Sequence, residues 1–110
     1  MPCGKVQDAG TGVHRMTDSI VQDLSVQRCF VCGCVRELDL HHMIHGTANR
    51  RLSTKYGLTC WLCRTHHTGR FGVHTGNTEL DRKLQQVAQI AFEKTHTRFE
   101  WMKIFGKNYL

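Results

Sequence analysis

The stretch CWLCRTHH, residues 60–67, carries two cysteines separated by two residues and a pair of histidines directly behind them. Upstream, CFVC at residues 29–32 repeats the cysteine spacing, and LHH at residues 40–42 repeats the histidine pair. Thiolates and imidazoles at such spacings are the usual ligands of zinc and similar divalent metals. Because each histidine pair follows a cysteine pair, the pattern predicts two metal sites and is hard to explain by packing alone.

The cysteine-rich set predicts a closed structural zinc site, which needs four ligands in a tetrahedron. Its last two ligands can be Cys63 with His66 or Cys60 with Cys63, because both pairs have a two-residue gap. The first choice leaves His67 available to a second metal, and it makes Cys60 a small buried residue of an apolar strand. We therefore favour the first choice and keep Cys60 as the alternative to His66. The predicted zinc ligands are Cys29, Cys32, Cys63 and His66.

The remaining histidines predict a second site of a different kind. Neighbouring side chains of a strand point to opposite faces, so His41 and His42 cannot easily bind one metal with the same geometry. One of them can bind a metal while the other faces a substrate as a free base, since a neutral imidazole can take a proton from water. His67 directly follows a predicted zinc ligand, so one segment can serve both metals.

Length and charge limit the class of protein. A chain of 110 residues, 40% of them hydrophobic, forms at most one modest domain with a small core, so a bound metal contributes much of its stability. Six cysteines without an apolar signal segment favour metal binding over disulfides and indicate a cytoplasmic location. No apolar run is long enough to span a membrane. The formal net charge of +6 favours a polyanionic partner, and nucleic acid is the obvious one.

Composition and motifs divide the chain into three segments. Residues 1–25 contain glycines without an apolar period and predict a flexible leader. Residues 26–78 hold the metal motifs and predict the core, and residues 79–110 predict a helical segment that packs on it. Within the core we expect a short hairpin at residues 35–43, which ends in the first histidine pair, and a polar, basic loop at residues 46–57.

The remaining elements follow from apolar spacing and capping signals. Residues 58–62 form an apolar run typical of a buried strand. Residues 79–94 repeat apolar side chains at helical spacing and predict an amphipathic helix. Thr97 and Glu100 fit a capping box, which predicts a second helix over residues 98–105.

The order and spacing of the motifs between residues 29 and 74 resemble those of the HNH endonucleases of the His-metal finger superfamily. In size, the chain looks similar to small members of that family carried by bacteriophages and prophages. The resemblance implies an α+β fold with a small, zinc-stabilised ββα-metal core of treble-clef type and C-terminal helices. It also implies a phage- or prophage-encoded protein in the cytoplasm of a bacterial host cell.

The resemblance also assigns roles to the histidines. His42 is the implied general base. The family's middle asparagine corresponds to Leu58 here, and Asn49, further upstream, is the nearest asparagine that can replace it. The bound metal can be Mg²⁺, Mn²⁺, Ni²⁺ or Zn²⁺, although histidine ligands favour the softer ions. The implied ligands of this catalytic divalent metal are His41, His67 and His74.

The implied activity is hydrolysis of DNA phosphodiester bonds by a water molecule that gives a proton to His42. The alternative is a non-catalytic, zinc-stabilised nucleic-acid-binding module, which uses the same zinc site and basic residues but leaves His42 and His67 without a role. In either case the basic side chains neutralise DNA phosphates. The basic residues expected to contact DNA are Arg50, Arg51, Lys55, Arg64 and Arg70.

Overall fold

A computed structural model describes residues 18–110, which form two strands and four helices and confirm the expected α+β class. The first 17 residues of the predicted leader lie outside this described part. No helix within residues 18–110 is long and apolar enough to cross a lipid bilayer. In chain order the elements are β1 (Leu38–His42), α1 (Thr47–Lys55), β2 (Thr59–Cys63), α2 (Arg64–His67), α3 (Thr78–Glu93) and α4 (Arg98–Phe105).

The two strands pair with each other in an antiparallel sheet, in which His41 lies opposite Cys60. The strand expected at residues 58–62 is therefore confirmed as β2, but the hairpin expected at residues 35–43 is wrong. Only β1 is extended there, and its partner strand follows α1 in the sequence. Glu37, with a positive φ of 52°, turns the chain just before β1 and leaves too few residues for a second local strand.

The loop expected at residues 46–57 is also wrong, because most of it forms α1. Gly46 adopts a φ of 110° just before the helix, a conformation that favours glycine. The residue that α1 buries completely is Ser53, so the sequence shows no apolar period that reveals the helix. The Ser53 hydroxyl donates to the Ile44 carbonyl at 2.7 Å and accepts from the Ile44 amide at 3.2 Å. These bonds attach α1 to the segment directly behind the histidine pair of β1.

The two C-terminal helices lie within one residue of their predicted positions. Asn77 caps α3 by accepting a hydrogen bond from the Leu80 amide. Thr97 and Glu100 form the expected capping box at the start of α4, each accepting from the other's backbone amide. Both helices share one core with β2 and with the segment behind β1. This core includes Met43, Ile44, Leu58, Leu62, Leu84, Phe92, Trp101 and Phe105.

Residues 18–25, which we assigned to the leader, lie against β2. The Gln22 side chain accepts from the Trp61 amide at 2.8 Å and donates to the Arg28 carbonyl at 2.9 Å. The Trp61 indole N–H donates to the Leu24 carbonyl at 2.9 Å. Since Arg28 immediately precedes the first cysteine motif, these bonds connect β2 to that motif.

Candidate metal centres

Three cysteines and one histidine converge where β2 is followed by α2. The Sγ atoms of Cys32 and Cys63 are 3.7 Å apart, and Cys63 Sγ is 3.3 Å from His66 Nδ1. Neighbouring sulfurs of a tetrahedral zinc site with Zn–S bonds of about 2.3 Å are separated by about 3.8 Å. These side chains are therefore arranged to hold a metal such as zinc. The group, with all ligand atoms within 4.8 Å of one another, is Cys29, Cys32, Cys63 and His66.

A tight turn in the first cysteine motif prepares Cys29 as a ligand. The Gly33 amide donates to the Cys29 carbonyl at 2.9 Å, and Gly33 takes a positive φ of 80°, which glycine adopts without steric cost. The Val31 amide points at Cys29 Sγ from 3.4 Å. Burial acts to raise the pKa of Cys29, but the backbone amides around its sulfur outweigh this effect and lower that pKa. A thiolate stabilised in this way is the form that binds zinc.

Cys60, the alternative ligand, lies outside this group. Cys60 and Cys63 are three residues apart in β2, so their side chains point to opposite faces of the strand. Cys60 is fully buried, and burial raises the pKa of its thiol to about 12. It is thus a small buried residue that stays protonated. The structure brings His66, and not Cys60, to the other three ligands.

Three histidines form a second group beside the first. The ring centroids of His41 and His67 are 5.3 Å apart, those of His41 and His74 are 5.4 Å apart, and those of His67 and His74 are 4.7 Å apart. Each ring offers a nitrogen, and these nitrogens lie within 4.8 Å of one another. Three imidazole nitrogens at this separation form a donor set that suits a divalent metal.

His41 is the most unusual member of this three-histidine group. It is 1% exposed, and neither of its ring nitrogens has a hydrogen-bond partner within residues 18–110. Burial, with smaller contributions from the neighbouring histidines, lowers the pKa of His41 to about 3. The ring is therefore neutral at physiological pH and has a lone pair to offer. Since a buried polar atom without a partner is costly, a bound metal is the natural partner.

The loop after α2 curls back and delivers His74 to His67. The His74 amide donates to the His67 carbonyl at 3.0 Å, and the Val73 amide donates to the His66 carbonyl at 3.0 Å. Gly72 passes so close to α2 that a Cβ atom there would lie 2.5 Å from the His67 carbonyl oxygen. Only glycine permits this approach. The loop therefore brings His74 next to His67 in space, although the two residues are separated in the sequence.

Asp39 orients one of the three histidines and was missed by the sequence analysis. Its Oδ2 lies 3.3 Å from His67 Nδ1, which leaves His67 Nε2 free to face a metal. Carboxylates often hold metal-binding histidines in this way. The position of Asp39 in the sequence could have indicated this role. Asp39 and His41 are two residues apart, and alternate residues of a strand share a face.

His45 and Asp81 form a second pair that the sequence analysis missed. His45 Nε2 lies 3.0 Å and 2.9 Å from the two carboxylate oxygens of Asp81. The His45 ring centroid is 5.5 Å from that of His74. Asp81 lies in the first turn of α3, so the C-terminal helical segment contributes directly to the surroundings of the three-histidine group. No local spacing joins two residues that are 36 positions apart.

The three-histidine group lines an open cleft of about 360 Å³. His42, the predicted general base, lines the same cleft without belonging to the group. Burial lowers the pKa of His42, and the positive charge of Arg50 and the neighbouring His67 lower it further. The His42 ring is therefore neutral near pH 7 and able to accept a proton.

The segment behind the histidine pair is held by α1. Asn49 reaches it, since its Nδ2 lies 3.4 Å from the His45 carbonyl oxygen. Ser53 makes two shorter bonds to Ile44 in the same segment. Leu58, at the position of the family's middle asparagine, is instead a fully buried core residue. Ser53 and Asn49 together thus position the chain behind His42.

The five basic residues expected to contact phosphates lie in α1, in α2 and in the loop after α2. Arg50 lines the cleft beside His42. Arg64 pairs with Glu37 on the surface, at a distance of 3.3 Å. The others are exposed and do not line the cleft: Arg51, Lys55 and Arg70.

No protein-family model, curated protein or solved structure matches this chain. A function therefore has to be inferred from the side chains that the fold brings together. The Cys29–Cys32–Cys63–His66 group can hold a metal such as zinc. The three-histidine group adds a second set of donors at an open cleft.

Proposed function

We propose that this protein is a metal-dependent HNH endonuclease that hydrolyses phosphodiester bonds in DNA. One observation carries the proposal: the buried His41, whose ring nitrogens have no partner in the described part of the chain, meets His67 and His74 at an open cleft. A catalytic metal site differs from a structural one by keeping positions open for water and substrate. The cleft beside these three histidines provides that space.

The three-histidine group fits a divalent cation such as Mn²⁺, Ni²⁺, Zn²⁺ or Mg²⁺, with a preference for the softer ions. When bound, such a cation supplies Lewis-acid stabilisation of the charge that develops on the phosphate and the leaving oxygen. Asp39 keeps the His67 ring in its orientation. The Cys29–Cys32–Cys63–His66 group holds a structural zinc that stabilises the junction between β2 and α2.

His42 is the proposed general base. It lines the cleft directly beside the three-histidine group, and its lowered pKa keeps the ring neutral near pH 7. A neutral imidazole in this place can take a proton from the water that attacks phosphorus. Arg50 lines the same cleft and offsets the negative charge of the phosphate.

DNA is the proposed partner because of the charge of the chain. The formal net charge is +6, and the basic residues of α1 include Arg50 in the cleft and Arg51 on the exposed surface. Neutralising phosphates releases counterions, so affinity for DNA should fall steeply with salt and fall further in an Arg50→Ala/Arg51→Ala double variant. Weak binding that does not respond to salt would contradict this partner.

A plasmid-nicking assay with pure protein and one divalent metal at a time tests the activity. We expect His42→Ala to cut about 10²–10⁴-fold more slowly than the wild type, because a general base acts in the transition state. His96→Ala, which removes an exposed histidine outside the cleft, is the matched control and should cut normally.

Two results would contradict the proposal. DNA binding without cutting under every metal would favour the non-catalytic, zinc-stabilised nucleic-acid-binding module. Equal cutting by the wild type and His42→Ala would show that another histidine of the cleft is the base, and His45 would be the next to test because it also lines the cleft.

A further inference from the structure

The start of α1 lies at the edge of the same cleft, which Gly46 and Thr47 line together with Arg50. Gly46 has no side chain that can cap the helix, and the first turn of α1 contains no acidic residue. The first N–H groups of any helix have no partner within that helix and carry a partial positive charge. This end of α1 is therefore arranged to accept a negatively charged group from outside the helix.

A second, independent feature of the cleft also points to a ligand. His41 lines the cleft, is 1% exposed and has two ring nitrogens without a partner in residues 18–110. Arg50 adds a permanent positive charge, which is close enough to His42 to lower its pKa. Among the described residues, no carboxylate lines the cleft. The start of α1, the guanidinium group of Arg50 and the three-histidine group thus line one cleft, and no negatively charged side chain among the described residues lines it with them.

We propose that the start of α1, formed by Gly46, Thr47 and Arg50, binds a backbone phosphate of the nucleic acid next to the phosphate at the three-histidine group. The proposal rests on the proposed nuclease function, because it takes the three-histidine group as the place of the scissile phosphate. Backbone amides at the helix start donate to the phosphate oxygens, and Arg50 adds charge-assisted hydrogen bonds. Two phosphates held at separate points determine the direction in which the strand crosses the cleft.

Binding of short probes separates this site from catalysis. The probes are the thymidine dinucleotide TpT, the same molecule with a 5′ phosphate and the same molecule with a 3′ phosphate. Their affinities for the full chain are measured at low salt by competition against a labelled oligonucleotide, in a His42→Ala background that prevents turnover. We expect one of the two phosphorylated probes to bind about tenfold more tightly than TpT.

Variants of α1 locate that gain in affinity. Thr47→Glu places a carboxylate in the first turn, which favours the helix itself but repels a phosphate. We expect the gain, taken as the ratio of each variant's affinity for the phosphorylated probe to its affinity for TpT, to be lost in Thr47→Glu and reduced in Arg50→Gln. Arg51→Gln removes the same charge from a neighbouring position of α1 that does not line the cleft, and it should keep the gain. An unchanged melting temperature of Thr47→Glu excludes unfolding as the cause.

Each outcome decides the proposal. Equal binding of all three probes overturns it, and so does a gain that persists in Thr47→Glu. A gain that falls equally in Arg50→Gln and Arg51→Gln also overturns it, because overall charge then explains the effect. A gain that depends on Thr47 and Arg50 supports the phosphate site even when the wild-type protein cuts no plasmid, and in that case the nuclease function alone fails.

Discussion

In the Cys29–Cys32–Cys63–His66 group, the sulfurs of Cys32 and Cys63 lie at the separation of a tetrahedral zinc site, whereas the three-histidine group lines an open cleft. The two groups are covalent neighbours, since His66 belongs to the first and His67 to the second. Thiolates that fill a tetrahedron make a structural site, while imidazoles that leave positions open allow chemistry. The comparison shows that one short helix can contribute ligand atoms to two groups that could each hold a metal.

The supporting contacts of the two groups differ as well. The first cysteine motif is folded by local hydrogen bonds, such as that of the Gly33 amide, and is joined to β2 by the bond from the Phe30 amide to the Trp61 carbonyl. The three-histidine group is assembled from β1, α2 and the following loop, with support from Asp39. We therefore expect loss of the first group to damage the fold and loss of the second to remove activity while the fold remains.

The largest effect is expected for Cys63→Ser, which should lose zinc and unfold. Structural zinc sites have apparent binding free energies of about 10–16 kcal/mol, and this energy contributes directly to folding. Cys60→Ser should keep the zinc and lose only about 1–3 kcal/mol of stability from burying a hydroxyl. Zinc content by mass spectrometry and thermal melting measure both variants. Zinc retained in Cys63→Ser and lost in Cys60→Ser would reverse the assignment of the ligands.

The next largest effect separates a metal ligand from a base. His41→Ala and His42→Ala should each slow cleavage by about 10²–10⁴-fold, and both should retain the zinc. Only His41→Ala should weaken the binding of a second metal, measured by calorimetric titration with Mn²⁺. High Mn²⁺ should therefore restore part of the activity of His41→Ala and none of that of His42→Ala. Equal restoration of both variants would contradict these separate roles.

Gly72→Ala tests whether the loop delivers His74. The added Cβ would lie 2.5 Å from the His67 carbonyl oxygen, so the loop has to move away from α2. We expect affinity for the second metal to fall by about 100-fold, the upper end of the range for losing support of a metal site. Gly76→Ala in the same loop has free space for its Cβ and should cost stability through its positive φ without this loss of affinity. Calorimetry should detect no difference between the two variants if the loop does not position His74.

A smaller effect is expected from Asp39→Ala, which removes the carboxylate beside His67. Such partners of metal-binding histidines typically contribute 10- to 100-fold to metal affinity, and an exposed one should lie at about the lower end. Glu37→Ala removes a surface carboxylate two residues away that pairs with Arg64 instead, so it serves as the control. Equal metal affinities of Asp39→Ala and Glu37→Ala would exclude an orienting role for Asp39.

The smallest effect concerns the pH dependence of cleavage. His42 acts as a base only when neutral, and its pKa in the fold is lowered by burial and by Arg50. Activity should therefore be full at neutral pH and be lost as the pH falls through a midpoint below the ordinary histidine value. Arg50→Gln removes one cause of the lowered pKa and should move this midpoint to higher pH. A rate profile whose midpoint does not respond to Arg50→Gln would mean that His42 is not the titrating base.

Features that depend on neighbours in the chain could be predicted from the sequence. The capping box of Thr97 and Glu100 and the amphipathic pattern of α3 are local, and both helices lie where they were expected. The spacing of the cysteine and histidine pairs indicated two groups of ligands, and the resemblance to the HNH endonucleases added His74 to the second group. The structure brings these residues together. The sequence also favoured His66 over Cys60 as the fourth zinc ligand, because this choice assigned His66 to the zinc and left His67 for the second metal.

Other features depend on contacts between segments that are far apart, and only the tertiary structure decided them. β1 pairs with β2 across α1, and α1 is attached to the segment behind β1 by bonds between the buried Ser53 and Ile44, which no apolar pattern shows. Asp81 meets His45 from α3, 36 positions along the chain. A local sequence pattern does not show which distant segments make contact, and it does not show how little space the fold leaves around Gly72. The sequence thus determined which side chains can bind metal, and the tertiary structure decided which cleft, partners and charges surround them.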